Sequence, residues 1–280
     1  MIGQRPKDLV FTLFGEYLLG VDSVWVGSLI ALLRPLGLSD GGVRTVLSRM
    51  SKKGWLEAGR VGRHAFYSLT PMGRALLQEG QARIYRPEWS TAWDGSWLLL
   101  AYSIPQDARS SRDRLRDRLA WLGFGSIGNG LWITPHDVTA DVAHLADRMG
   151  VHDKLIAFRA RRVLGADDAE LVQRCWDLER LHLDYVEFVE RWRPELEAPL
   201  QAGEDDLSGA TAYVRRFHLI HEFRRFTLDD PFLPRRLLPR AWGGDEASRL
   251  FSELRDRFSA PADAYVAQVL HDAPPRRSAS

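Results

Sequence analysis

The residue pattern predicts an α+β chain in three parts, and three observations predict it. A helical apolar stripe followed at once by a short alternating hairpin fills residues 39–69. Segments with the patterns of strand, helix, strand, strand, helix and strand succeed one another near residues 95–165. From Asp168 onward apolar residues recur at helical spacing and strand signals stop.

The first observation carries most of the functional content. Ser39 is a good N-cap, and Val43, Val46, Leu47 and Met50 recur at i, i+3, i+4 and i+7 as one stripe of a helix. At 100° per residue Gly41, Thr45, Ser48 and Lys52 point away from that stripe, with Arg44 and Arg49 on its flanks. Asp40 lies in the first turn, where the helix dipole tolerates a carboxylate, and no acid follows it on the helix. Small and hydroxyl-bearing residues rimmed by cations suit a major groove: Ser39 and Gly42 allow close approach, and Arg44, Thr45, Ser48 and Arg49 are placed to read bases. Gly54 ends the helix, Trp55 to Ala58 read as a strand, Gly59 to His64 as a tight tip, and Ala65, Tyr67 and Leu69 as the return strand. Lys52, Lys53, Arg60 and Arg63 would hold phosphate, with His64 beside them on the tip. Alternatively these cations form only a solvated rim. Helix, wing and basic tip in this order favour DNA contact.

Two helices precede this stretch. Pro6 opens one with Leu9, Val10, Leu13, Phe14, Tyr17 and Leu18 inside, and Asp22-Ser23 reads as the cap of another with Val26, Leu29, Ile30 and Leu33. Thr70-Pro71 starts a closing helix, so residues 1–80 read as a winged helix-turn-helix. Residues 81–95, with Tyr85, Pro87, Trp89 and Trp93, make a connector too aromatic for a flexible tether. In residues 96–166 a buried strand (97–104), a helix (109–122), a hairpin around Gly128-Asn129-Gly130, a helix (138–149) and a strand (154–163) give the order of a ferredoxin-like βαββαβ domain. Residues 167–273 form a helical domain: one helix from Asp168 to Arg193 ended by Pro194, a second from Leu207, and one or two between Asp245 and His271. Residues 274–280 read as a disordered tail.

The composition of the 280 residues, 45% hydrophobic and 27% charged, is that of a globular protein. Neither a signal peptide nor a membrane-length apolar run is visible, which points to the cytoplasm and to no membrane partner. The single cysteine, Cys175, excludes an internal disulfide and reads as a small core residue. Net charge is only +1, yet residues 1–88 hold 12 Lys or Arg against 7 Asp or Glu, leaving 26 against 30 elsewhere. A basic N-terminal third on a mildly acidic body suits a polyanion at that end. His218 and His221 beside Glu222 have the i, i+3 spacing of a metal clamp, but no further ligand stands at telling spacing, so a polar cluster is favoured. No nucleophile elbow, Walker or dinucleotide fingerprint appears; catalytic residues, metal and cofactor are expected to be none.

TLFGEYLL (12–19), VRTVLSRMSKKGWL (43–56), GRVGRHAFYSLTPMG (59–73), WDGSWLLLAYSIP (93–105), LRDRLAWLGFGSIGNGLWITP (115–135) and RRFTLDDPFLPRRLLPRAW (224–242) resemble, in the same order, segments of the PaaX family of bacterial transcriptional repressors. The resemblance implies a homodimeric repressor of aromatic-acid catabolic genes, typically of phenylacetate, released from operator DNA by phenylacetyl-CoA. The central segment is also similar to the small CRISPR-adaptation nuclease fold, which carries an aspartate at the end of its first strand. Here Ser103 stands at that place, leaving a divalent metal little to hold it, so the domain is expected to serve dimerisation. A metal-dependent nuclease, or a CoA-thioester enzyme on the C-terminal half, is the alternative class. Arg224, Arg225, Arg235, Arg236 and Arg240, interleaved with aromatics up to Trp242, suit an anionic aromatic ligand such as an acyl-CoA. Equally, the loop clamps the C-terminal helices, its arginines paired with Asp229, Asp230 and Asp245.

Overall fold

A computed structural model describes residues 5–85, 93–104, 109–165, 167–197 and 208–273. Pro87 and Trp89 of the connector, Leu207 and the tail from Pro274 lie outside the described residues. The chain divides into two compact units, one drawn from Met1–Tyr85, Val189–Arg224 and Ser248–Ser280, the other from Arg86–Phe188 and Arg225–Ala247. Among the described residues no helix is long and apolar enough to cross a membrane.

The first unit begins with α1 (Pro6–Tyr17), β1 (Val24–Trp25), α2 (Val26–Leu33), α3 (Asp40–Lys52), β2 (Leu56–Val61), β3 (His64–Leu69) and α4 (Pro71–Ile84). Its sheet has the order β1-β3-β2, antiparallel throughout. Asp22-Ser23 does not cap α2: Val24 and Trp25 pair instead with Tyr67 and Phe66, and Trp25 holds the N-cap position. Two good strand formers gain more from completing the free side of β3 than the helix gains from a polar cap. The hairpin is also longer than its sequence suggests. Ladder pairing runs to Val61↔His64, so the turn is only Gly62-Arg63, with Gly62 at φ +58° in the first central position, where a type II′ turn needs glycine.

The later helices are α7 (Asp168–Cys175), α8 (Leu178–Glu197), α9 (Gly209–Phe223), α10 (Phe226–Asp229) and α11 (Gly243–His271), with α5 and α6 defined below. Where one helix over 168–193 is expected there are two. Trp176 is extended, and Asp177 accepts from the Arg180 N–H at 3.1 Å, starting a new helix. Pro194 does not end α8: its missing N–H and the crowding of its ring fall near the C-terminal end, where the terminal carbonyls find another partner. Arg257 donates to the carbonyls of Glu195 and Leu196 at 2.8 and 3.0 Å.

The stretch 167–273, read from sequence as one domain, contributes to both units. Tyr213 and Phe217 of α9 and Ala262 and Val266 of α11 share one apolar cluster with Leu9, Leu13 and Phe14 of α1, Leu29 and Leu33 of α2, and Val43, Leu47 and Met50 of α3. Tyr213 donates its hydroxyl to the Leu32 carbonyl at 2.8 Å, and Ser28 donates to the Val269 carbonyl at 3.1 Å. Arg216 lies between Glu16 at 2.6 Å and Asp263 at 2.5 Å. Burial pushes the Glu16 carboxyl above its ordinary range, against the pull of Tyr85 and Arg216.

In the second unit β4 (Trp97–Tyr102), α5 (Arg109–Trp121), β5 (Gly125–Gly128), β6 (Leu131–Thr134), α6 (Thr139–Met149) and β7 (Leu155–Ala160) build an antiparallel sheet of order β5-β6-β4-β7. Asn129 at φ +52° and Gly130 at φ +80° form the β5–β6 turn, the positive pair that a type I′ hairpin requires. Leu98, Leu100 and Trp132 of the sheet meet Leu115, Leu119, Val142 and Leu145 of α5 and α6 in one core. On β5 the chain of Cys175 and Trp176 comes so close that a Cβ on Gly125 would stand 2.6 Å from either side chain. Edge strand β7 leaves Ile156 and Phe158 exposed, at 59% and 55%.

Candidate nucleic-acid interface

Helix α3 presents two contrasting faces. Val43, Leu47 and Met50 are at most 1% exposed and Val46 is buried, whereas Arg44, Thr45, Ser48, Arg49 and Lys52 are all exposed. The buried stripe fixes the helix on α1 and α2, so the exposed set is held on a rigid element. Ser39 Oγ accepts from the Gly42 N–H at 3.2 Å, which makes these two residues the start of the helix as well as part of its surface. Thr45, which is exposed, donates its hydroxyl to the Gly41 carbonyl at 2.8 Å, so its oxygen can still accept a hydrogen bond. The one acidic group, Asp40, takes a two-point pair from Arg34 at 2.8 and 3.0 Å, so the first turn offers an incoming phosphate no bare carboxylate.

The other cations are distributed around α3. Lys53 stands over the Trp55 ring at 5.0 Å, and Lys7 over the same ring at 5.8 Å. Lys7 was not legible as a member: it lies 46 positions from Lys53, and the link is the contact of Phe11 on Trp55 at 4.9 Å. Arg60, paired with Ala65, and Arg63, in the two-residue turn, are both exposed at the hairpin end. His64 is half-buried and meets Trp25 edge-on at 5.9 Å, at the first ladder position rather than at the tip.

The arginines of residues 224–242 are divided between the two units. Arg224 belongs to the first unit, where it donates to the Asp8 carbonyl at 3.1 Å and to Thr12, and burial pulls its pKa below the ordinary value. Arg235 ties its own loop, donating to the carbonyls of Pro239 and Arg240 and pairing with Asp245 at 3.2 Å. Trp242 is 7% exposed and packs edge-on against Tyr185 at 5.7 Å. Arg225, Arg236 and Arg240 are exposed, with Arg236 over the Trp93 ring at 5.8 Å. Of the clamping acids, Asp230 accepts from the Tyr185 hydroxyl at 2.6 Å, and Asp229 lies 3.7 Å from Arg180.

His221 Nδ1 lies 2.9 Å from Thr12 Oγ1, with its ring stacked on Phe217. Among the described residues no three His, Cys, Asp or Glu side chains gather as a metal would require. Burial pushes the half-buried Cys175 thiol up to about 11, away from nucleophile chemistry. Ser103 is exposed just beyond β4, its N–H given to the Lys154 carbonyl at 3.0 Å.

Comparison with known proteins agrees with this architecture. Residues 5–73 match the model of a PaaX-like protein, residues 90–172 that of the PaaX protein central Cas2-like domain, and residues 176–268 that of the PaaX-like protein C-terminal domain. The transcriptional repressor PaaX of Escherichia coli (strain K12) is 38% identical over 264 residues, covering 93% of this chain and 82% of the relative. A solved structure, the uncharacterized protein Rv0674 from Mycobacterium tuberculosis, shares the fold at 24% identity with a TM-score of 0.58, covering 91% of this chain and 96% of the other. With a named relative that is a repressor and not an enzyme, and three family models along its length, the chain belongs to the PaaX family.

Proposed function

We propose that this protein is a transcriptional repressor that binds operator DNA as a homodimer, through a winged helix-turn-helix formed by α1 to α4 and the β2–β3 hairpin. The observation that carries the reading is the outer face of α3, where five polar or cationic residues stand exposed above a fully buried stripe. Arg44, Thr45, Ser48 and Arg49 read base edges, while Lys52, Lys53, Arg60 and Arg63 hold phosphate. Two such helices related by a twofold axis enter major grooves about one turn, ~34 Å, apart, or a multiple of it. A repressor name in a 38% identical relative supports the same assignment.

The dimer forms through the central domain, whose strand order supports a ferredoxin-like arrangement. Register sets Ile156 beside Ala101 and Leu131, and Phe158 beside Leu99 and Ile133, so two apolar rows cross one sheet face and end at β7, which among the described residues pairs on one side only. A twofold axis sets such a patch on itself, and burying each large side chain contributes about 1.5–3 kcal/mol. Replacing Ile156 and Phe158 together by Asp is expected to give a monomer in sedimentation equilibrium that still folds. A wild-type chain that sediments as a monomer at micromolar concentration would remove this part of the reading.

The genes regulated are those of aromatic-acid, phenylacetate-type catabolism, and the effector is an aryl-acyl-CoA such as phenylacetyl-CoA. It acts by binding one arrangement of the dimer better than the other. Arg225, Arg236 and Arg240 are exposed on the arginine loop and would meet its phosphates, whereas Arg235, also exposed, ties the loop to itself. Footprinting of DNA upstream of such genes, with and without phenylacetyl-CoA, tests the whole. The expected result is a protected inverted repeat that the thioester releases. No preference over random duplex would reject the repressor, and protection unmoved at saturating thioester would reject the effector alone.

A further inference from the structure

Of the 38 lysines and arginines only four are lysines, and three of these stand on α1 or at the C-terminal end of α3: Lys7, Lys52 and Lys53. An arginine offers a planar fork suited to a base edge or a carboxylate, whereas a lysine offers a compact charge on a flexible stem. Two of the three lysines meet at one ring. Trp55 is half-buried, and the ammoniums of Lys53 and Lys7 lie over it at 5.0 and 5.8 Å from its centroid. The negative face of the indole draws each cation in and gives both stems an apolar surface to lie on. The ring itself is fixed. The Trp55 N–H donates to the Met50 carbonyl at 3.1 Å, its carbonyl accepts from the Thr70 N–H at 3.2 Å, and the buried Phe11 packs on it.

Lys7 is placed as firmly as Lys53, the C-cap of α3. Pro6 opens α1, the Asp8 N–H donates to the Arg5 carbonyl at 2.8 Å, and Arg224 of α9 donates to the Asp8 carbonyl at 3.1 Å. The Asp8 carboxylate lies 3.9 Å from the Lys7 ammonium, with the two side chains 38% and 45% exposed. An ion pair so exposed is weak, and a phosphate can replace it. We propose, resting on the DNA-binding reading above, that Lys7 and Lys53 close together on one phosphate of the DNA backbone, gathered for it by Trp55. The duplex is then gripped from α1 as well as from α3 and the hairpin. Such a contact reads no base; it fixes the register in which α3 meets the bases. Holding both stems on the ring beforehand reduces the freedom they lose on binding.

Titrations of the full chain against a labelled random-sequence DNA duplex, followed by fluorescence anisotropy over a range of salt concentrations, test the assignment. Lys7→Gln and Lys53→Gln are each expected to weaken binding about three- to eightfold near ~0.1 M salt and to leave the ligand-free Tm unchanged. Two residues that share one partner do not add. The double variant should therefore lose no more than about tenfold, and its slope of log K against log salt should fall by about 0.9, not by the ~1.8 of two separate phosphates. Lys154→Gln, at an exposed lysine of the second unit, should change nothing. Undiminished affinity and slope in Lys7→Gln overturn the proposal, as do losses that multiply in the double variant or an equal loss in Lys154→Gln. A Tm lowered in step with the affinity overturns it too, because Lys7 would then serve the fold. A wild-type chain that binds no duplex removes the DNA-binding reading itself, and this contact with it.

Discussion

Phe217→Ala is expected to lower the stability of the first unit by about 3–5 kcal/mol, the range for a fully buried aromatic truncated to alanine. Phe217 is 0% exposed and lies on α9, far along the chain from α1 to α3, yet it shares their core. Its neighbour Tyr213, also 0% exposed, is tied to the last turn of α2 through the Leu32 carbonyl. A cavity there is lined by side chains from both ends of the sequence, and neither end can close it alone. Hydrogen exchange is the appropriate readout, because two compact units need not unfold in one transition. Amides of α1 and α3 should lose protection by the full amount, and DNA affinity should fall with the folded fraction. Leu183→Ala, at a position 60% exposed, is the control and should shift stability by no more than about 0.5 kcal/mol. If Phe217→Ala left α1 and α3 protected and deprotected only α9, the N-terminal helices would own their core, and the shared cluster would carry little energy.

That expectation also marks the limit of what was legible in the residues. The stripe of Val43, Val46, Leu47 and Met50, the Ser39 and Thr70 caps and the Asn129-Gly130 turn are local codes, written within four or five positions, and each appears in the structure. Periodicity tells that a helix has an apolar face but not which distant segment covers it. Tyr213 and Phe217 therefore look from sequence like the core of a separate helical domain, although they complete the core beneath α3. The same blindness applies to the arginine loop. Alternating Arg and aromatic residues do not tell that Trp242 packs on Tyr185 or that Arg224 reaches α1, contacts that composition cannot encode. Lys7 is invisible for the converse reason, since only the fold brings it to the ring that carries Lys53.

Arg49→Ala and Lys52→Ala are expected to weaken DNA binding in different ways, although both remove one exposed cation from α3. Alanine is the better helix former, so neither change threatens the element, and any loss belongs to the interface. A guanidinium that forks onto a guanine edge contributes about 1–3 kcal/mol of discrimination. Arg49→Ala should therefore cost that much on the operator, roughly five- to 150-fold, and much less on a duplex altered at the single base pair it reads. Lys52 sits in the last helical turn and, as a point charge on a flexible stem, suits the phosphate role proposed for it. Its removal should weaken operator and random duplex alike and lower the slope of log K against log salt by about 0.9, one released counterion. Titrations of both variants against the operator, the altered site and random duplex, each at several salt concentrations, separate the two. Equal losses on every sequence for Arg49→Ala would mean that α3 grips the backbone without reading it, and sequence choice would then have to come from the deformability of the duplex.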